Sequence, residues 1–493
     1  MPKEPPSYFL IRWLFIRWLG IIYFLAFASL GIQILGLLGH NGILPIKDFL
    51  EAVKEHYGSR SFWLAPSVFW INASDTALVS VAIGGSLLAI LLVLGFCPLV
   101  ISFLLWLLYL SITTTGQEFL GFQWDALLLE TGFLGIFFAE RHFKPRIFSA
   151  DHNEIPSIAM VWVFRFVLFK LIFSSGVVKL TSGDTSWRDL TALTYHYMTQ
   201  PLPNPLSWFV YQWPAWAHKL CTFGMFFVEL IVPFFIFLGR TMRSVAFVCF
   251  VVLQMIILLT GNYCFFNLLT IVLCLFLLDD DRIKKFLPKC FVSRFKSAGP
   301  SSKRVNVFAK FSLTILAGLV FLINLELLPF SFGVSSILKP IVPLLEKISS
   351  LRSFNRYGLF AVMTTNRHEI IFAGSHDGRE WKEYEFRFKP GQLNDIPKWA
   401  APHQPRLDWQ MWFAALGGYR QNLWVIHFMQ KILQNSKPVL DLLGSNPFKD
   451  VPPKYIRAVV YDYTFTDPQT RKKTGQWWTR KLLGLYCPVL TLK

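Results

Sequence analysis

The sequence predicts a multi-pass α-helical membrane protein of about nine helices, with a C-terminal non-cytoplasmic domain of α+β or β-sandwich-like build. Three observations predict it. Of the 493 residues, 54% are hydrophobic and 17% aromatic, and the mean hydropathy is +0.44, which is too apolar for an ordinary soluble domain. Apolar runs of bilayer-spanning length recur up to about residue 330. From about residue 331 the texture changes to mixed charge, proline and alternating strand patterns, so the expected division is 1–330 and 331–493.

The expected spans lie near 11–38, 77–96, 98–115, 124–139, 157–181, 220–238, 244–260, 263–278 and 308–330. Basic residues then set the orientation. Arg12 and Arg17 mark the N-terminal side, Arg141, Lys144 and Arg146 follow the fourth span, Arg240 and Arg243 the sixth, and "DDDRIKKFLPKCFVSRFKSAGPSSKR" the eighth. Nine spans put all of these on one face, which the positive-inside rule makes cytoplasmic. The other face receives 40–76, with the sequon "NAS" at Asn72, then 183–218, and everything after about 331. The net charge of +18 sits mostly in short loops between apolar runs, which points to membrane lipid as a partner and away from nucleic acid. Seven Cys without a C-x-x-C form no disulfide framework, and the first apolar run is far longer than a cleavable signal, so it is expected to stay as an anchor.

In the C-terminal part, "YGLFAVMTT", "HEIIFAGS" and "EWKEYEFRFK" read as strands, with "HDGR" turning the last two into a hairpin through Asp377 and Gly378. Helical patterns follow near 411–443, and then strands "YIRAVVYDYTF" and "QWWTRKLLGLY".

Within this frame the run "FRFVLFKLIFSSGVVKLTSG" stands out, because it carries Arg165, Lys170 and Lys179. A cation near the bilayer centre costs at least ~2.5 kcal/mol, so it needs a partner or a function. Glu130 and Glu229, both near the middle of apolar runs, are the candidate partners, and the five residues are read as one buried polar cluster. At about 100° per residue Arg165 and Lys179 share a face while Lys170 points nearly opposite to Lys179. The connection "TSGDTSWRDLTALTYHYMTQPLPNP" brings Asp184, Trp187, Arg188, Asp189, His196 and Tyr197, as a plug over the membrane mouth or as a binding surface. In "APHQPRLDWQMWFAALG" the set His403, Arg406, Asp408 and Trp409 has no nucleophile in an elbow context. It reads as an Arg–Asp pair and aromatics on the domain surface that dock it onto the helices. Trp477 and Trp478 fit an interface belt or an apolar binding surface. The ten His show no metal-ligand spacing, so neither metal nor cofactor is expected.

Six ordered stretches then identify a resemblance. "DALLLETGFLGIFFA", "FSSGVVKLTSGDTSWRDLTALTYHYMTQPLPNPLSWF", "FVELIVPFFIFLGR", "LTGNYCFFNLLTI", "APHQPRLDWQMWFAALG" and "NPFKDVPPKYIRAVVYDYTF…GQWW" together resemble the lipase maturation factor family. The resemblance implies a multi-pass membrane protein that, in animals, resides in the endoplasmic reticulum and helps secreted lipases of the lipoprotein lipase class fold and assemble into active dimers. Its C-terminal half is the part associated with lipase handling. The chain reaches its first span early and ends without a KDEL-type signal, so the expected compartment is the endoplasmic reticulum membrane if the source is eukaryotic and the cytoplasmic membrane if bacterial. A second, fainter resemblance links "FSSGVVKL" and "FFVELIVPFF" to vitamin K-dependent gamma-carboxylases, in which a Lys after a Gly-Val pair is an active-site base; Lys179 is the matching position. Two readings follow: a non-enzymatic maturation factor with a secreted lipase as client, and a membrane-embedded enzyme using Lys179 as base on a lipid-soluble substrate.

Overall fold

Each of the nine apolar runs forms a helix: α1 (Phe9–Gly31), α2 (Asp75–Leu94), α3 (Pro98–Thr115), α4 (Gln123–Phe138), α5 (Ile158–Thr181), α6 (Ala215–Phe226), α7 (Arg240–Thr260), α8 (Phe266–Cys274) and α9 (Val307–Leu327). The structure is a computed structural model that describes residues 6–143, 145, 154–292, 307–334 and 336–492. Lys144, Arg146 and the basic residues within 293–304, which contribute to the orientation reading, lie outside the described residues. Among the described residues seven of these helices, with the turns that prolong them, are long and apolar enough to cross a membrane; α4 and α8 are shorter.

Local chemistry sets the helix ends. Ser74 caps α2 by accepting from the Ala77 N–H, Gly95 ends it at φ 80°, and Pro98 opens α3 at a position where no N–H is needed. Helix α6 is not continuous. It passes into a π turn at Phe227–Ile231 and a 3-10 stretch at Val232–Phe237, where Pro233 removes a helical N–H.

Most residues of α1 and α5 are buried, so these helices belong to the core, whereas α7 buries only Ala246, Phe250 and Gln254 among the described residues. Close approach of α1 and α2 rests on small residues. A Cβ at Gly85 would stand 2.5 Å from the Phe27 ring, and one at Gly20 2.9 Å from Val93. This is how membrane helices gain van der Waals contact without a hydrophobic driving force between them.

The C-terminal region holds one antiparallel sheet of order β2-β1-β3-β4, with β1 Arg367–Ser375, β2 Lys382–Glu383, β3 Tyr455–Phe465 and β4 Trp478–Leu490. Helices α10 (Arg406–Ala415) and α11 (Leu423–Leu433) pack beside it, Tyr486 donating to the Ala414 carbonyl and Phe428 meeting Phe372 edge-on. The domain is therefore α+β, and no second sheet forms a sandwich among the described residues. Two expected strands are corrected. "YGLFAVMTT" is irregular because its backbone turns to the 183–187 loop: the Met363 N–H donates to Asp184 and the Phe360 carbonyl accepts from Trp187. "EWKEYEFRFK" forms a strand with β1 over Lys382–Glu383 alone, adds one isolated bridge from Glu385 to Ser445, and then turns the Phe388 and Lys389 N–H groups to the Asp408 carboxylate. The hairpin at Asp377 holds, its carboxylate accepting from the Arg379 and Glu380 N–H groups and Gly378 supplying φ 75°.

Replacing Gly85 by Leu drives a side chain into Phe27 and is expected to lower stability by about 1–3 kcal/mol. At neighbouring Gly84 a Cβ meets nothing within 4 Å, so Gly84→Leu is the control. Thermal unfolding of the two variants in detergent checks this: equal midpoints would contradict the packing described.

Candidate functional site

Helix α5 carries its three cations at three heights. Residues 165, 170 and 179 are separated by about 7.5 and 13.5 Å of helix rise, so a shared helical angle does not bring Arg165 and Lys179 together. The expected single cluster is instead three separate arrangements. Arg165 departs from the expected acid partner: its Nε donates to the Phe276 carbonyl at 2.8 Å, one Nη to the Tyr8 hydroxyl at 2.9 Å, and the guanidinium lies over the Trp162 ring. Lys170 is paired. Its Nζ donates to Glu130 at 2.8 Å, to the Asn355 carbonyl at 2.9 Å and to the Asn324 side chain, while Tyr357 donates to the second Glu130 oxygen. All three ammonium N–H groups thus find acceptors, as burial demands.

Lys179 sits in the last turn of α5, and both oxygens of Glu229 accept from its Nζ, at 2.6 and 2.9 Å. The π turn places Glu229 there. A π turn widens the helix by one residue and aims a side chain that an α turn would direct elsewhere. The ammonium also lies 5.4 Å from the centroid of the Trp187 ring. Lys179 and Glu229 line a cavity of about 650 Å³ with Trp187, His196, Tyr197 and Asn267 among its walls.

The 183–218 connection closes that end of the helical bundle. Asp184 accepts from the Ser186 and Met363 N–H groups; partial burial pushes its carboxyl up, but these hydrogen bonds hold it below the usual range. Trp187 is buried and donates to the Phe360 carbonyl at 3.0 Å. His196 meets the Tyr263 hydroxyl at 3.1 Å, and burial, helped by the nearby Lys179 charge, pulls its imidazole down to about 4. Arg188 and Asp189 are exposed and stand apart from this arrangement.

The C-terminal candidates are not surface residues. Arg406 is buried and pairs with Asp125 of α4 through two hydrogen bonds of 2.8 and 2.9 Å, with a third to the Phe119 carbonyl at 2.7 Å. Its expected partner Asp408 instead accepts from the Phe388 and Lys389 N–H groups, and burial pushes its carboxyl up. His403 bonds Ser29 of α1 at 2.8 Å, and burial together with Arg406 and Arg387 lowers it to about 4. Trp409 packs against Trp124, so this segment does join the domain to the helices, but from inside. Trp477 and Trp478 are likewise buried and form no exposed belt. Trp478 stacks on Phe465 at 4.3 Å, and Trp477 meets Trp208 and the Arg471 guanidinium.

Three anchoring groups were missed from sequence. Asp125 stands in "DALLLETGF" with its carboxylate held by Arg406 and the Tyr109 hydroxyl. Asn262 donates to the Leu202 and Lys398 carbonyls and accepts from the Ala400 and Ala401 N–H groups. Arg367 donates to the carbonyls of Met198, Gln200 and Pro201 and pairs with Glu369, which also holds Lys389 at 2.9 Å. The available signal was an Asp within an apolar run and an Arg-x-Glu on a buried strand. Among the described residues no group of three His, Cys, Asp or Glu is placed to hold a metal ion.

Lys170→Met leaves Glu130 buried without its cation and is expected to cost about 3–5 kcal/mol, whereas the double variant with Glu130→Leu regains most of that loss. Thermal unfolding of both proteins checks the sign, since a double variant no better than the single one would contradict it.

Comparison with known proteins gives a consistent answer. The model of the lipase maturation factor transmembrane domain matches residues 10–285, and that of the lipase maturation factor C-terminal domain matches 353–488. Lipase maturation factor 1 of Bos taurus is 35% identical, the alignment covering 98% of this chain and 90% of that protein. Lipase maturation factor 2 of Homo sapiens is 35% identical over 98% of this chain and 82% of its own length, and lipase maturation factor 1 of Homo sapiens 32% over 99% and 89%. No solved structure matches the chain. Identity of this extent across both parts of an integral membrane protein leads to one conclusion: the chain belongs to the lipase maturation factor family.

Proposed function

We propose that this chain is a membrane-anchored maturation factor that assists folding and assembly of secreted lipases, working in the endoplasmic reticulum membrane with the region after residue 331 on the non-cytoplasmic face. The observation that carries the reading is the near-full-length similarity to proteins named as lipase maturation factors. The animal sources of those relatives support the compartment. The 183–218 connection and the C-terminal region are joined, Asp184 to Met363, Trp187 to Phe360 and Arg367 to the 198–201 backbone. Both belong on the side where secreted clients fold.

A surface for a partly folded client is present at the edge of the sheet. Among the described residues strand β4 pairs with β3 on one side only, and it exposes Leu482, Leu483, Leu485 and Val489. An apolar edge with unpaired N–H and C=O groups is a template for a further strand, and a client not yet folded supplies extended segments. This edge takes the role that the buried Trp477 and Trp478 cannot fill.

The test is co-expression with a secreted lipase in cells lacking their own maturation factor, reading lipase activity in the medium per unit of lipase secreted. The full chain restores activity, truncation after residue 330 abolishes it, and Leu482→Lys with Leu485→Lys lowers it about tenfold at equal protein level, a loss of ~1.4 kcal/mol if it acts through client affinity. Full activity of the truncated chain would overturn the reading.

A further inference from the structure

The 650 Å³ cavity beside Lys179 lies within the range of about 300–1,000 Å³ that accommodates small ligands, and it is built differently on its two sides. The 3-10 stretch Val232–Phe237 and, to a lesser extent, the π turn Phe227–Ile231 pack on α7, while α6 itself draws away from α7 beyond them. On the diverging side the lining is Val248, Val252 and Ile256 of α7, each about half exposed, with Gly224 of α6 and Val228 of the π turn opposite. These residues belong to membrane-spanning helices, so the gap between them opens sideways into hydrocarbon.

The inner wall is polar. It holds the Lys179–Glu229 pair, His196, and an Asn267 whose Nδ2 donates to Gln254 at 2.8 Å. The Oδ1 of Asn267 is buried with no hydrogen-bond partner among the described residues, which is costly for a carbonyl oxygen unless a donor arrives. Lys179 and Glu229 cancel each other's charge, and among the described residues no other carboxylate, Lys or Arg lines the cavity. An anionic headgroup would find no free cation there, and a cationic one no free carboxylate.

We infer that this cavity binds an uncharged, hydroxyl-bearing amphiphile of the bilayer, which enters between α6 and α7, donates its hydroxyl at Asn267 beside the ion pair, and lays its apolar body along α7. Sterols and monoacylglycerols share this chemistry. The inference goes beyond client handling and stands whether or not the client is a lipase.

The experiment is photo-crosslinking of the full chain in native membranes with three clickable diazirine probes: a sterol, a monoacylglycerol and a phosphatidylserine. Crosslinked peptides are then mapped by mass spectrometry. Either uncharged probe is expected to label the peptide spanning 244–260, competed by its unlabelled parent, and which of the two labels identifies the source. Val252→Trp, which fills the gap from an exposed position, and Asn267→Leu are each expected to lower that labelling at least fivefold in protein that keeps its wild-type melting midpoint. Labelling that neither variant changes, or equal labelling by the phosphatidylserine probe, would mean contact with bulk lipid and would overturn the inference.

Discussion

The arrangement depends on one buried ion pair that joins the two halves of the chain. Arg406, at the start of the helix that follows the sheet's first hairpin, reaches Asp125 at the start of α4 with paired hydrogen bonds. Neither side chain is accessible to water. An unpaired charge here would be severely destabilising, so each half needs the other to complete its own interior. Tyr109 donates to the Asp125 carboxylate and the Phe119 carbonyl accepts from Arg406, which makes the join directional as well as strong.

The same logic recurs away from that pair. Lys170 draws Asn355 and Tyr357 of the C-terminal region onto α5 and α4, and Asn262 and Arg367 hold the 198–202 and 398–401 backbones through carbonyls and N–H groups. Irregular backbone next to apolar helices must have its polar groups satisfied by protein. That requirement explains the polar groups placed along these segments: the 183–218 connection bonds Phe360, Met363 and Arg367, and the link around residue 400 bonds Ser29, Gln33 and Asn262. Lys179 and Glu229 differ in that their pair faces a cavity, so satisfaction and accessibility coexist there.

Legibility in the sequence followed the range of the interaction concerned. Spans and the strands Tyr455–Phe465 and Arg367–Ser375 could be read because hydropathy and alternation are local properties. The pairing of Lys179 with Glu229 was a candidate because buried charges of opposite sign restrict the choices. Arg406 was assigned to Asp408, two residues away, when its partner lies 281 residues away in α4, and no periodicity carries such information. "YGLFAVMTT" has strand composition but gives its backbone to Asp184 and Trp187, so tertiary demand overrode propensity. Trp477 and Trp478 show the remaining blind spot, since an aromatic pair reads alike whether it packs on Phe465 and Trp208 or faces a client.

The central claim, that helices and sheet form one unit through Arg406 and Asp125, is tested most directly by a double-mutant cycle on thermal unfolding of the full chain in lipid nanodiscs. Arg406→Met and Asp125→Leu are each expected to destabilise strongly, while the double variant recovers enough to give a coupling of about 2–3 kcal/mol within a single cooperative transition. Additive losses within about 0.5 kcal/mol, with the sheet and the helices melting in separate transitions, would contradict it.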